Sequence, residues 1–205
     1  MKIISEERMV LTPDMMANRT FREPQRTPRS RGVHISAVNK ALGIAAGKLT
    51  SEDDPDFPFE KFSDTHYPLL PAIGVAWEEF RASIYGPDLL IYPPAELERD
   101  GIYGSPDGFL MGRYAWWECK YSTKKIQSIS ALWMYLKQGL CYCAMSTGVM
   151  GQMITIVQYD ICFGLGDYTR PYKPIGQVST VEFSQHECES WWAVVKQAAK
   201  DVKPE

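Results

Sequence analysis

The sequence predicts an α/β or α+β fold in which helices pack on a central mixed β-sheet. Three observations predict it. Apolar residues recur at helical spacing in separate stretches. β-Rich runs lie between them, in the order helix, helix, strands, helix, strands, helix. And 45% of the 205 residues are hydrophobic, enough for one domain with a sizeable core.

The elements follow in order. Residues 33–45, VHISAVNKALGIA, form an amphipathic helix with Ser36 as its N-cap. Pro68 and Pro71 precede a second helix, AIGVAWEEFRASIY, whose apolar positions Ile73, Trp77, Phe80 and Ile84 share a face and which stops at Gly86-Pro87. LLIY, residues 89–92, is a short strand. YGSPDGFLMGRYAWWECKYS, residues 103–122, reads as a β-hairpin turning at Met111, Gly112 and Arg113. A long helix is predicted from Ile126 to Thr147, ending at Gly148, with Ile129, Leu132, Trp133, Leu136, Leu140 and Ala144 on its buried stripe. MITIVQY (153–159) and QVSTVEF (177–183) are strands separated by the loop GLGDYTRPYKP. Ser184 and Glu187 make a capping box for a last helix through Ala199.

Charge is uneven around a net value of −3. Five arginines between Arg19 and Arg31 face one acid, Glu23, and are interleaved with Pro24 and Pro28. Residues 1–32 therefore read as a basic, irregular arm ahead of a single domain, residues 33–205. EDDPDFPFE, residues 52–60, reads as an exposed linker. Five cysteines, scattered and without a CxxC pair, indicate reduced thiols, not a disulfide framework or a zinc site. No apolar run approaches the roughly 20 residues of a membrane span, and MKIISEERMV lacks a signal-peptide core, so a cytoplasmic protein with no membrane partner is expected.

The predicted hairpin carries the chemistry. Side chains alternate along a strand, so Glu118 and Lys120 share one face while Trp117, Cys119 and Tyr121 share the other, which is expected to be the buried one. Asp107, eleven residues upstream across the turn, is brought near Glu118. Two carboxylates that close repel unless they share a proton or a cation. A divalent ion resolves the conflict, and hard oxygen ligands suit Mg²⁺ or Mn²⁺. Without it the same residues make a surface hairpin with an ion pair.

GSPDG followed by a strand ending in Glu118-Cys119-Lys120 resembles the PD-(D/E)XK nuclease signature, and the flanking residues are similar to its phage recombination branch, the lambda exonuclease, YqaJ and RecB-like group. Gln138 and Tyr142 form a QxxxY on one helix face, and Gly74 and Glu78 a GxxxE, both resembling motifs of that group. The resemblance covers residues 70–160 and departs from the group after Lys120, where Tyr121-Ser122 stand in place of Cys-Pro. It implies a restriction-endonuclease-like core and a metal-dependent DNA exonuclease acting at double-stranded ends, for recombination or replication in a phage-like setting (host cytoplasm if viral). Asp107, Glu118 and the Cys119 backbone carbonyl would hold one ion, and Glu78 that ion or a second. Lys120 would activate water or stabilise the transition state, with Gln138 and Tyr142 orienting the lysine, the water or a phosphate. A ring-like homo-oligomer and a recombination partner protein belong to the same implication. The alternatives are an endonuclease on the same core, acting on flaps, junctions or foreign DNA, and a catalytically inactive DNA-binding module.

Lys124, Lys125, Lys137, Arg26, Arg29 and Arg31 offer positive charge to a DNA backbone, or serve as solubilising surface residues. His34, His66 and His186 lack metal-ligand spacing. Gly164 and Gly166 lead into a loop, not a helix, so no nucleotide site is expected, and no Walker motif exists. Of Trp116 and Trp117, at least one is expected in the core, leaving the other free to stack on a base.

Overall fold

The computed structural model describes residues 1–9, 30–48, 69–92, 94–122, 128–146, 153–163 and 176–204. A six-stranded sheet is built from β1 (Lys2–Met9), β3 (Leu90–Ile91), β6 (Gly108–Leu110), β7 (Ala115–Ser122), β8 (Ile156–Phe163) and β9 (Gly176–Glu182), in the order β1-β9-β8-β7-β6-β3. It is mixed: β7 and β8 run parallel, and the other neighbours antiparallel. A smaller sheet, ordered β2-β5-β4, joins β2 (Val33–His34), β5 (Ile102–Gly104) and β4 (Leu97–Arg99). Helix α2 (Leu69–Tyr85) covers one face of the large sheet, where Trp77 packs with Leu90, Leu110, Trp117, Cys119 and Cys162. Helices α1 (Ile35–Ala45), α3 (Trp133–Met145) and α4 (Gln185–Ala199) cover the other, around Trp116, Val157, Tyr159, Ile161 and Trp192.

Burying the sheet on both faces has a direct result. The Glu118 face, expected to be exposed, is as buried as the aromatic one, and Glu118 is 0% exposed. Trp116 and Trp117 are both core residues, at 4% and 0% exposure, so neither is free to stack on a base.

Other departures have local causes. Lys2–Met9, assigned to an irregular arm, form a full edge strand on β9, and Met9 is buried beneath α2. Helix α1 starts at Ile35 behind His34, because parallel pairing of Val33 and His34 with β5 holds the chain extended up to that point; Ser36 lies inside the helix and caps nothing. Pro71 sits in the first turn of α2, where its missing N–H breaks no helical bond. The predicted long helix begins only at Trp133. Ser128 instead caps a 3₁₀ turn over Ile129–Ala131, and Glu6 of β1 accepts hydrogen bonds from the Ile129 amide (2.7 Å) and the Ser128 hydroxyl (3.0 Å), which fixes that turn. The predicted hairpin is shorter too, since Tyr103 belongs to β5 of the small sheet. Strand β8 starts at Ile156, later than expected, and continues through Phe163. The capping box at Ser184 and Glu187 is present in both directions. All five cysteines are free and buried. Among the described residues no helix is long and apolar enough to cross a membrane.

Candidate active site

Asp107 immediately precedes β6, and the β6–β7 hairpin places Gly108 opposite Trp117. That register carries the Asp107 carboxylate onto the middle of β7, where its Oδ2 accepts a hydrogen bond from the Cys119 amide at 2.7 Å. Lys120 Nζ lies 3.5 Å from the same oxygen and makes an ion pair with Glu118 Oε1. Asp107, Glu118 and Lys120 are thus one cluster, with Lys120 23% and Asp107 19% exposed at its mouth and Glu118 sealed at its floor.

Glu118 is the strained member. Both its oxygens are buried without a well-formed hydrogen bond, and among the described residues its ion pair is with the Lys120 ammonium. Burial, reinforced by repulsion from Asp107, pushes the carboxyl up to about 8 despite the lysine. Burial also disfavours the Lys120 ammonium, but the two carboxylates outweigh it and raise its pKa, so the ammonium stays charged at neutral pH. The Cys119 thiol is pushed well up by burial and by the Asp160, Asp107 and Glu78 carboxylates, and is no nucleophile here.

Glu78 reaches the cluster from α2. Its charge acts on both Glu118 and Cys119, and it accepts a hydrogen bond from the Tyr92 hydroxyl, whose pKa is raised by burial and by that carboxylate. Gly74, one turn earlier, brings α2 down on β7 at the Tyr121 Cβ, 4.0 Å from where a Gly74 Cβ would stand. On the opposite face, Gln138 Nε2 donates to the Tyr142 hydroxyl at 2.6 Å, and Tyr142 donates to the Ser105 carbonyl at 3.0 Å. Tyr142 therefore grips the strand-to-strand connection two residues before Asp107. The helix can come this close because residue 139 is glycine: a Cβ there would overlap the Tyr159 hydroxyl, which donates to the Tyr135 carbonyl at 3.0 Å.

Residues without a sequence motif also belong here. Tyr135, three positions before Gln138, is raised by burial and interacts electrostatically with Lys120 and Glu118; its helical spacing from Gln138 was a usable signal. Tyr92 had none, since only β3–β6 pairing delivers it. A small cleft beside Tyr142 is lined by His34, Ser36, Ser105 and Gln138, at the N-terminus of α1, which carries no side-chain cap.

The expected DNA contacts divide. Lys124, Lys125, Arg26 and Arg29, like His66 and the loop 164–174, lie outside the described residues. Arg31 is exposed just before β2. The Lys137 ammonium, half-buried, sits 3.9 Å over the Trp191 ring, and burial lowers its pKa. His34 is buried, 2.8 Å from the Ser30 carbonyl and 3.7 Å from Glu96.

A second charged cluster lies behind β7 on the α2 side. Arg81 Nε donates to Asp160 Oδ2 at 2.9 Å, and its Nη2 lies 2.8 Å from the same oxygen. Tyr85 donates to Oδ2 at 2.9 Å and Gln158 to Oδ1 at 2.9 Å. Arg113 completes the network, donating to Gln158 Oε1 at 2.8 Å.

No family model matches the chain, and no curated protein does. Solved structures do. The chain is similar to a phage-related exonuclease from Haemophilus somnus 129PT, with 17% identity and a TM-score of 0.49 over 82% of this chain and 92% of that one. It is also similar to SSO0001, with 10% identity and a TM-score of 0.48 over 86% of this chain and 77% of that one.

Among the described residues no group of three His, Cys, Asp or Glu side chains stands close enough to hold a metal. Lys120 occupies the space between the two nearest acids. The donor set nevertheless fits a hard divalent cation: Glu118 presents two buried oxygens that accept no well-formed hydrogen bond, beside a second carboxylate.

Proposed function

We propose that the protein is a Mg²⁺- or Mn²⁺-dependent nuclease that hydrolyses phosphodiester bonds at DNA ends. The observation that carries this reading is Glu118: a fully buried carboxyl beside Asp107, with the Lys120 ammonium for its partner and no well-formed hydrogen bond to either oxygen, is costly to a fold that gains nothing from it. Asp107, Glu118, the Cys119 carbonyl and Glu78 would hold the ion, or two ions. Bound there, it would supply neutralising charge and an acidified water. The chain's own groups do the rest. Lys120, kept charged chiefly by Asp107, stabilises negative charge building on the phosphoryl oxygens; it is not the proton acceptor in this state. Tyr142, kept protonated by burial, and Gln138 hold the Ser105–Asp107 segment and hence the first acid.

Action at ends is supported by the cleft beside Tyr142. The Ser36 hydroxyl and the start of α1, which has no side-chain cap, suit the extra charge of a terminal phosphate better than an internal one. The test is incubation of the purified protein with linear and covalently closed circular DNA, with Mg²⁺ or with EDTA. Loss of linear DNA alone, stopped by EDTA, is the expected result. Attack on circles would assign an endonuclease, and binding without cleavage an inactive module.

A further inference from the structure

Beside the acid cluster, between the C-terminal half of α2 and β3, opens a cleft of about 140 Å³ walled by Pro87, Leu90 and Tyr92 and floored by Glu79 and Ser83. We propose that this cleft is a nucleobase subsite that receives the amino-bearing edge of the base next to the scissile phosphate, an inference that rests on the nuclease reading above.

Position is the first argument. Tyr92 lines the cleft and also hydrogen-bonds Glu78, so the cleft and the acid cluster share a wall. Size is the second. A single water needs only about 10–15 Å³ of such space, so the cleft has room for a ring system. Chemistry is the third. Pro87, Leu90 and the Tyr92 ring offer apolar faces to a flat aromatic group. Glu79 Oε1 is buried with no hydrogen-bond partner. Ser83, one turn along, spends its hydroxyl proton on the Phe80 carbonyl at 2.7 Å and presents an oxygen lone pair. The floor is therefore made of acceptors and requires a donor. Phosphate is excluded, since an anion beside Glu78 and Glu79 is repelled. Of the parts of DNA within reach, the exocyclic amines of adenine, cytosine and guanine supply N–H groups that a carboxylate can accept. Thymine lacks such an amine, and its one ring N–H lies between two carbonyls that would face the acceptors.

Blunt duplexes that differ only in the terminal nucleotide of the cleaved strand test this, with Ca²⁺ in place of Mg²⁺ for binding and Mg²⁺ for rates. Ends in dA, dC or dG are expected to bind at least fivefold more tightly than dT. 2-Aminopurine at the terminal position should change its fluorescence on binding, and the same base placed well inside the duplex should not. Glu79→Gln, which keeps size and removes the charge, should shrink the preference to within twofold while leaving the rate on dT ends unchanged. Ser83→Leu, on an exposed position of α2, should obstruct the cleft and reduce every end to dT-like affinity. A flat base profile in the wild-type protein, or one that Glu79→Gln and Ser83→Leu leave intact, would overturn the subsite while leaving cleavage standing. Failure to bind or cut any DNA would overturn the nuclease reading and the subsite with it.

Discussion

Two charged clusters stand back to back on the central strands, and they are built on opposite terms. In the Arg81–Asp160 cluster, buried at 6% and 0% side-chain exposure, the carboxylate takes hydrogen bonds from arginine, tyrosine and glutamine, so both its oxygens are served. In the Asp107–Glu118–Lys120 cluster the most buried carboxyl receives no well-formed hydrogen bond and two acids lean on one ammonium. The first arrangement satisfies charge internally and ties α2 to β8. The second keeps charge unsatisfied and opens to solvent at its mouth. Buried polar groups that a chain leaves unpaired next to ones it pairs fully store polar strain, and the proposed ion would relieve it.

Substitutions should separate the two. Asp107→Ala is expected to lower cleavage by about a thousandfold or more with a melting temperature close to the wild type's, because it also removes a repulsion on Glu118, and Lys120→Ala to lower cleavage as far; full activity in either variant would remove the assigned role. Asp160→Ala should do the reverse, costing about 3–5 kcal/mol in denaturant unfolding because Arg81 is left buried and unpaired. A smaller effect depends on pH. Because the Glu118 carboxyl titrates at about 8 when folded against 4.5 as its ordinary value, the folded state holds its proton more tightly. The stability this contributes is complete below about pH 4.5 and is lost as the pH rises through 8. Glu118→Gln should therefore melt with the wild type at acid pH and above it at pH 9, in melting curves recorded without divalent ions. Adding Mg²⁺ should favour the wild type increasingly as the pH rises, since the ion must displace that proton. Smallest of all, Tyr142→Phe should cost about 1 kcal/mol by freeing the Ser105 carbonyl, with a partial loss of rate that Asp107→Ala renders invisible in the double variant.

The second cluster was hidden in the sequence because its members are 79 positions apart and none sits in a motif. The hairpin cluster was legible because Asp107, Glu118 and Lys120 lie within fourteen residues and strand alternation alone fixes which faces they share. Alternation says nothing of what covers each face, which is why only the face of Trp117, Cys119 and Tyr121 was expected to be buried. Glu6 explains the misplaced start of α3: a carboxylate from β1, 123 positions away, holds the 3₁₀ turn at Ile129, and no local periodicity reports such a partner. Edge strand β1 was missed for a related reason. KIISEERM is mostly exposed, so it lacks the regular apolar alternation of a half-buried strand, and its pairing with β9 is what makes it one.

That pairing sets the order in which the protein is finished. Lys2 lies opposite Glu182, so β1 waits for a mate that is synthesised about 180 residues later. At about 5–20 residues per second the wait lasts on the order of ten seconds or more. The β6–β7 hairpin, made of neighbouring residues, closes in microseconds once it emerges. Asp107 and Glu118 therefore meet on the nascent chain before the sheet has its outer edge, and the charged cluster forms ahead of the border.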